Sequence, residues 1–174
     1  MKAGVRPSDV EKVIVWENHS NNRFPDVSHA TIRKGHRTVD AYTAVNDIKY
    51  LHGPFISTTQ KRGAVIIQKR KFSSAITAAK AACDHMHDWH FGTNPGEWVS
   101  MAVPSDGAYV TSLGLVFSFP VTVDPNTKEY SVVWHIPVDF ARVKLSANYE
   151  LEQERLNALR IVGASDTVDS PVLV

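Results

Sequence analysis

One helix-compatible stretch, from Ser57 to Gly92, constrains this chain more than any other feature. It contains no proline, and as a single straight helix it would run roughly 50 Å at about 1.5 Å per residue. That is too long for a domain built from 174 residues. A break is therefore predicted near Lys71-Phe72-Ser73-Ser74, where a serine can cap a second helix. Ser57 followed by Gln60 reads as a capping box that opens the first helix. Gly92 reads as the glycine that stops the second. The second helix is rich in alanine (Ala75, Ala78, Ala79, Ala81 and Ala82), and small side chains permit close approach by another element. It is predicted to be buried, with Cys83 buried and inert upon it.

The flanks complete the pattern. Residues 12–16 read as a short buried strand with Val13-Ile14-Val15-Trp16 at its core, followed by a polar loop that ends in Pro25-Asp26. Residues 38–51 are predicted helical, because Val39, Tyr42, Val45, Ile48 and Leu51 recur at three-residue steps, with Gly53-Pro54 as the stop. Residues 97–103, 115–123 and 130–138 read as strands, and Asp124-Pro125-Asn126-Thr127 as a hairpin turn. A last helix is predicted over residues 145–162, carrying Glu152 and Arg155 at i,i+3 spacing and ending at Gly163. The fold class that follows is α+β: long helices packed on a largely antiparallel, twisted sheet. Residues 1–163 form one domain, and residues 164–174 are expected to be a mobile tail.

Composition excludes several function classes. Nineteen Lys and Arg against eighteen Asp and Glu give a net charge of +1, so no nucleic acid or anionic membrane is expected as a partner through bulk charge. The longest uncharged stretch, residues 107–123, contains Pro120 and falls short of the roughly 20 apolar residues of a spanning helix. A single cysteine favours a reducing compartment, and a cytoplasmic location is expected. No two of the nine glycines stand one residue apart. Both the G-x-G-x-x-G dinucleotide fingerprint and a Walker loop are therefore absent. Asp84-His85-Met86-His87-Asp88-Trp89-His90 lacks the spacing of a helical zinc motif and reads as a solvated helix end, so no metal is expected. Lys61, Arg62, Lys69, Arg70 and Lys71 read as a solvated face. Trp16, Trp89, Trp98 and Trp134 read as core.

The candidate for chemistry is His19. It follows directly on an apolar strand, which is a rigid mount, and the polar loop beyond it opens a cleft in which an imidazole can exchange a proton near neutral pH. The segment Asn18-His19-Ser20, then Phe24-Pro25-Asp26-Val27-Ser28-His29-Ala30, resembles the catalytic-histidine region of the cytosolic-type malate dehydrogenases. The resemblance resumes in Phe55-Ile56-Ser57-Thr58-Thr59-Gln60-Lys61-Arg62-Gly63-Ala64 and in Arg70-Lys71-Phe72-Ser73-Ser74-Ala75. It continues through Ala78-Ala79-Lys80-Ala81-Ala82-Cys83-Asp84-His85, Phe91-Gly92-Thr93, Val99-Ser100-Met101, Ser105-Asp106-Gly107 and Phe117-Ser118-Phe119-Pro120-Val121. It covers residues 8–160.

What the resemblance implies is the fold of a lactate/malate dehydrogenase C-terminal domain, with His19 as the proton acceptor and with Gly63 and Ser74 lining the substrate pocket. The family interconverts malate and oxaloacetate with NAD and is usually a homodimer. Four departures bear on activity. The family's N-terminal Rossmann half, which holds NAD, has no counterpart in these residues. Neither has its L-D-x-x-R-A segment, whose Asp orients the histidine and whose Arg grips the substrate carboxylate. Glu17 stands where the family has glycine, and residues 108–115 depart from the family's Gly-Val-Pro pattern. The expectation is therefore the catalytic half of an NAD-dependent malate dehydrogenase, handling a 2-hydroxy/2-oxo dicarboxylic acid, and inactive as this chain alone. No NAD is expected to bind it alone. The alternatives are a non-catalytic interaction or dimerisation module and one half of a split dehydrogenase. A homo-oligomer or a complex with a full-length relative is expected, since a lone half exposes apolar surface.

Overall fold

The computed structural model describes residues 2–16, 23–73, 75–134, 136–137 and 148–163. The tail at 164–174 lies outside them. The strands are β1 (Val10–Glu11), β2 (Ile14–Trp16), β3 (Phe24–Asp26), β4 (Thr31–Lys34), β5 (Arg37–Asp40), β6 (Val99–Pro104), β7 (Val116–Val123) and β8 (Tyr130–Val132). The helices are α1 (Ala41–Val45), α2 (Ile48–His52), α3 (Pro54–Arg70), α4 (Ala75–Phe91) and α5 (Asn148–Val162). Three small sheets result, in the orders β1-β4-β5, β2-β3 and β6-β7-β8. Every strand pair in them is antiparallel.

The main core grows from the two-residue period of β7. Phe117, Phe119, Val121 and Val123 are all buried, as alternation on one sheet face requires. Across the ladder Met101 pairs with Phe119, and Val103 with Phe117, so β6 sends its own buried residues to the same face. Ile14 and Trp16 of β2 and Phe24 of β3 close over this layer, together with Ile56 of α3. Full burial of side chains of this size stabilises by about 1.5–3 kcal/mol each relative to exposure. A second, smaller cluster gathers Val27, Ala30, Ile32, Ala41 and Leu51 beneath the β1-β4-β5 sheet.

The helix expected over residues 38–51 is a strand followed by two short helices. Asp40 and Asp47 account for this. Each takes a helix N-cap, accepting the backbone N–H of Thr43 at 2.8 Å and of Tyr50 at 2.9 Å. The Thr43 hydroxyl, which donates to Asp40 Oδ2 at 2.6 Å, together with the Thr43 N–H holds the Asp40 carboxyl below the usual carboxylate range, and the Tyr50 N–H does the same for Asp47. Asn46, left-handed at φ 51°, ends α1 between them. Gly53-Pro54 is a joint as well as a stop: Gly53 closes α2, and Pro54 opens α3 at the helix position that suits proline. The helix thus starts before Ser57, and the expected capping box is not formed. Ser57 donates to the carbonyl of Pro54 at 3.3 Å instead.

The break between the long helices falls where it was expected. α3 ends at Arg70 with Lys71 left-handed, and α4 begins at Ala75. α4, however, is not buried. None of its described residues lies in the core, Cys83 is exposed, and Ile76 and Met86 are 71% and 63% exposed. Alanine lets a neighbour approach but does not supply one. α4 is held instead at its C-terminal end, against the turn joining β7 and β8. Trp89 Nε1 donates to the carbonyl of Lys128 at 3.1 Å, and the Lys128 ammonium donates to the carbonyls of His90 and Pro125. Thr93 N–H reaches Val123 O at 3.0 Å. The same geometry leaves Trp89 partly in solvent, and Trp134 is half exposed, so neither is a core residue as Trp16 is. The turn itself forms as expected, with Asp124 Oδ1 accepting the N–H groups of Asn126 and Thr127 at 2.7 and 2.9 Å.

Gly92 makes this anchorage possible. Its φ is +81°, and a Cβ there would stand 2.8 Å from the backbone nitrogen of Pro125. Gly92→Ala therefore meets both a left-handed backbone and a clash with main chain. The expected result is a loss of about 2 kcal/mol or more in urea unfolding, with α4 detached first by hydrogen exchange.

Candidate functional site

His19 and Ser74 lie outside the described residues; Gly63 lies within them. It sits inside α3 with its backbone half-buried, and a Cβ there would meet nothing within 4 Å. That turn of the helix is therefore open at Gly63.

The chain on either side of residues 17–22 is firmly held. β2 ends at Trp16 and β3 begins at Phe24, and these two residues are Cα partners across the ladder. The segment that carries His19 thus leaves and re-enters one antiparallel strand pair. Trp16 is fully buried. Its indole Nε1 donates to Asp26 Oδ2 at 3.0 Å across the pair, and the ring meets Tyr109 edge to face at 4.9 Å. Asp26 is buried as well, and its other oxygen accepts the N–H of Ser28 at 2.8 Å. A buried carboxylate is tolerable only when its oxygens are satisfied in this way. Val15 N–H donates to Ser100 Oγ at 2.9 Å, which ties β2 to β6.

Two further features surround this frame. Ser28 Oγ lies 3.3 Å from Tyr42 Oη, which lies 3.0 Å from His52 Nε2, so a polar chain runs from the Asp26 turn to the surface of α2. Tyr109 donates its hydroxyl to the carbonyl of Val133, and burial raises its pKa above the ordinary tyrosine value. Tyr109 and Val110 are both left-handed, at φ 55° and 63°, within the 108–115 stretch that departs from the family's sequence pattern.

Sequence reasoning singled out His19, just after the end of β2, as the candidate for proton exchange but missed the bond from Trp16 to Asp26 that joins β2 to β3. Asp26 belongs to the quoted Phe24-Pro25-Asp26 motif, yet nothing in its spacing marked it as the acceptor for Trp16. Only the strand pairing, which sets the two side chains on one face, shows that. The basic residues Lys61, Arg62, Lys69, Arg70 and Lys71 are exposed, as expected of a solvated face. Among the described residues, no group of three His, Cys, Asp or Glu side chains could hold a metal ion. No helix among them is long and apolar enough to cross a membrane.

The described residues also do not fit a dinucleotide. Such ligands bind at the carboxyl ends of parallel strands, beside a glycine-rich turn. All strand pairs described here are antiparallel, and the glycine spacing is absent.

Comparison with known proteins agrees with this geometry. Residues 1–154 match the family model of the lactate/malate dehydrogenase α/β C-terminal domain. Cytoplasmic malate dehydrogenase of Caenorhabditis elegans is 56% identical over 162 residues, covering 92% of this chain and 48% of the relative. Trichomonas vaginalis lactate dehydrogenase, solved in complex with NADH and oxamate, superposes with a TM-score of 0.82 at 36% identity, over 93% of this chain and 50% of its own. Malate dehydrogenase of Naegleria fowleri superposes with a TM-score of 0.76 at 38% identity, over 89% of this chain and 46% of its own. The chain spans about half the length of these relatives. By this evidence of sequence and fold, the chain belongs to the lactate/malate dehydrogenase family and carries that family's α/β C-terminal domain.

Proposed function

We propose that this chain supplies the substrate-side half of an NAD-dependent malate dehydrogenase, working in the cytoplasm. The observation that carries the reading is the 56% identity to the cytoplasmic malate dehydrogenase of Caenorhabditis elegans. It is supported by the Asn18-His19-Ser20 motif standing between the paired ends of β2 and β3. His19 is the general acid/base: its imidazole takes the hydroxyl proton of a 2-hydroxy dicarboxylic acid as the 2-oxo acid forms, and returns it in the reverse direction. Gly63 and Ser74 line the substrate pocket, Gly63 by keeping that face of α3 free of side chain. Residues 1–163 act as one unit in this role, with 164–174 as a tail.

The nicotinamide accepts hydride in such reactions, and nothing in this chain is assigned to hold it. The chain is accordingly inactive by itself. Purified, it is expected to show no malate-dependent NAD reduction. Turnover is expected when an NAD-binding half of a relative is supplied, and His19→Asn should lower that turnover by about 10²- to 10⁴-fold in a steady-state assay. Robust turnover by the chain alone would overturn the assignment.

A second reading, an interaction module, is favoured by one observation. Ile76, Met86 and Phe91 of α4 and Val65 and Ile67 of α3 are exposed apolar residues, and exposed apolar surface favours association. On either reading the partner is another copy of this chain or a full-length relative. Self-association is expected by light scattering at micromolar concentration, and Ile76→Glu combined with Met86→Glu should shift the population toward monomer. A wild-type chain that stays monomeric would count against the module.

A further inference from the structure

The end of the β4–β5 hairpin concentrates positive charge that the proposed function does not use. The chain there reads Arg33-Lys34-Gly35-His36-Arg37, and every one of these residues is exposed. Gly35, at φ +63°, opens a two-residue turn, a place where hairpin turns favour glycine. That turn sets Lys34 and Arg37 directly opposite each other across the ladder. Like charges so placed oppose strand pairing. Asp40, at the far end of β5, is occupied in capping α1 and does not offset them.

The turn at Pro7–Asp9, just before β1, adds a further cation. Asp9 holds two guanidinium groups at once: Oδ2 accepts from Arg6 Nε at 3.3 Å, and Oδ1 accepts from Arg33 Nη2 at 3.4 Å. Arg33 Nη2 also donates to the carbonyl of Ser8 at 3.2 Å. These bonds engage one edge of each fork. Both Nη groups of Arg6, and Nη1 and Nε of Arg33, have no partner among the described residues, and the two side chains are 81% and 53% exposed. The Lys34 ammonium donates to the carbonyl of Ala44 at 3.1 Å, in the last turn of α1, where a cation is favourable. Arg6, Asp9, Arg33, Lys34 and Gly35 all line one open concavity of about 920 Å³, within the size range of small-molecule sites. Exposed ion pairs contribute little to stability, so stability does not account for three cations gathered around one carboxylate.

We propose that this concavity binds a small anion that carries phosphate groups. The free edges of the Arg6 and Arg33 forks donate to phosphate oxygens, and Lys34 adds a point charge at the rim. Asp9 is a positioning residue: it holds the two guanidinium groups side by side and does not touch the ligand. A phosphate offers three acceptor oxygens and up to two charges, so one group can engage both forks together. The net charge of the whole chain is only +1, so the excess is local, which suits a small ligand rather than a long nucleic acid. The site shares no residue with the dehydrogenase reading and stands or falls independently of it.

The test titrates inorganic pyrophosphate into the 174-residue chain at physiological salt, followed by calorimetry and by backbone amide NMR. Saturable binding in the millimolar range or tighter is expected, with amide shifts confined to residues 4–9 and 33–37. Arg6→Gln and Arg33→Gln should each weaken binding about tenfold or more. Arg33→Lys keeps the charge without the fork and should weaken it less than Arg33→Gln does. Lys69→Gln, on α3, should leave it unchanged. If Arg33→Gln loses the wild-type unfolding transition, Arg6→Gln decides the matter. Phosphatidylcholine vesicles with and without phosphatidylinositol bisphosphate separate the two sources of such groups. Retention on the anionic vesicles that Arg33→Gln abolishes assigns the site to a lipid headgroup, and pyrophosphate binding without vesicle retention assigns it to a free organic phosphate. Absence of saturable binding to either probe would overturn the site, as would binding that the Arg6 and Arg33 variants share with the wild type, or amide shifts centred on α3.

Discussion

The hydrogen bond from Trp16 to Asp26 is the interaction on which the rest of this structure depends. It joins the last residue of β2 to the last residue of β3 inside the main core. An indole and a carboxylate both resist burial unless each satisfies the other. Together they pin the register of the strand pair, since a one-residue slip would turn both side chains to the opposite face. The core packs on that register: Phe24 stands opposite Trp16, Tyr109 leans on the indole ring, and Phe117 and Phe119 fill the layer beside it. The chain on both sides of residues 17–22 is therefore held by one buried strand pair.

Much of the fold was legible where a local rule and the global packing ask for the same residue. β6 and β7 announced themselves because their apolar residues alternate and the sheet buries one face. The Asp124 turn and the Gly92 stop were legible because each needs a residue type that few others replace. The helix break at 71–74 followed from length alone. Residues 38–51 were misread because two patterns overlap there. The apolar residues recur at helical steps, but Asp40 and Asp47 are better used as caps, and each cap begins a new helix. Gln60 was misread for a related reason, since a capping box is a local expectation and a partner 37 residues away leaves no mark in the spacing.

The alanine-rich α4 shows a different limit. Composition tells how closely another element could approach; it does not tell which element does so. Among the described residues nothing covers its apolar side chains, and its attachments concentrate at one end, on Lys128 and Val123. The candidate site divides in the same way. His19 was singled out from its motif and its place after a strand end, and Gly63 from its motif alone. Asp26, Arg23 and Gln60, whose bonds tie β2, β3 and α3 together, became visible only when strand pairing and helix placement brought distant positions together.

The central claim is a division of labour: this chain carries the proton-exchanging imidazole and the substrate side of the reaction, and the dinucleotide is held elsewhere. Calorimetric titration of NADH into the purified chain tests it most directly. The account predicts no heat of binding up to millimolar NADH, with saturable binding once an NAD-binding half is added. Saturable micromolar binding by the 174-residue chain alone would contradict it.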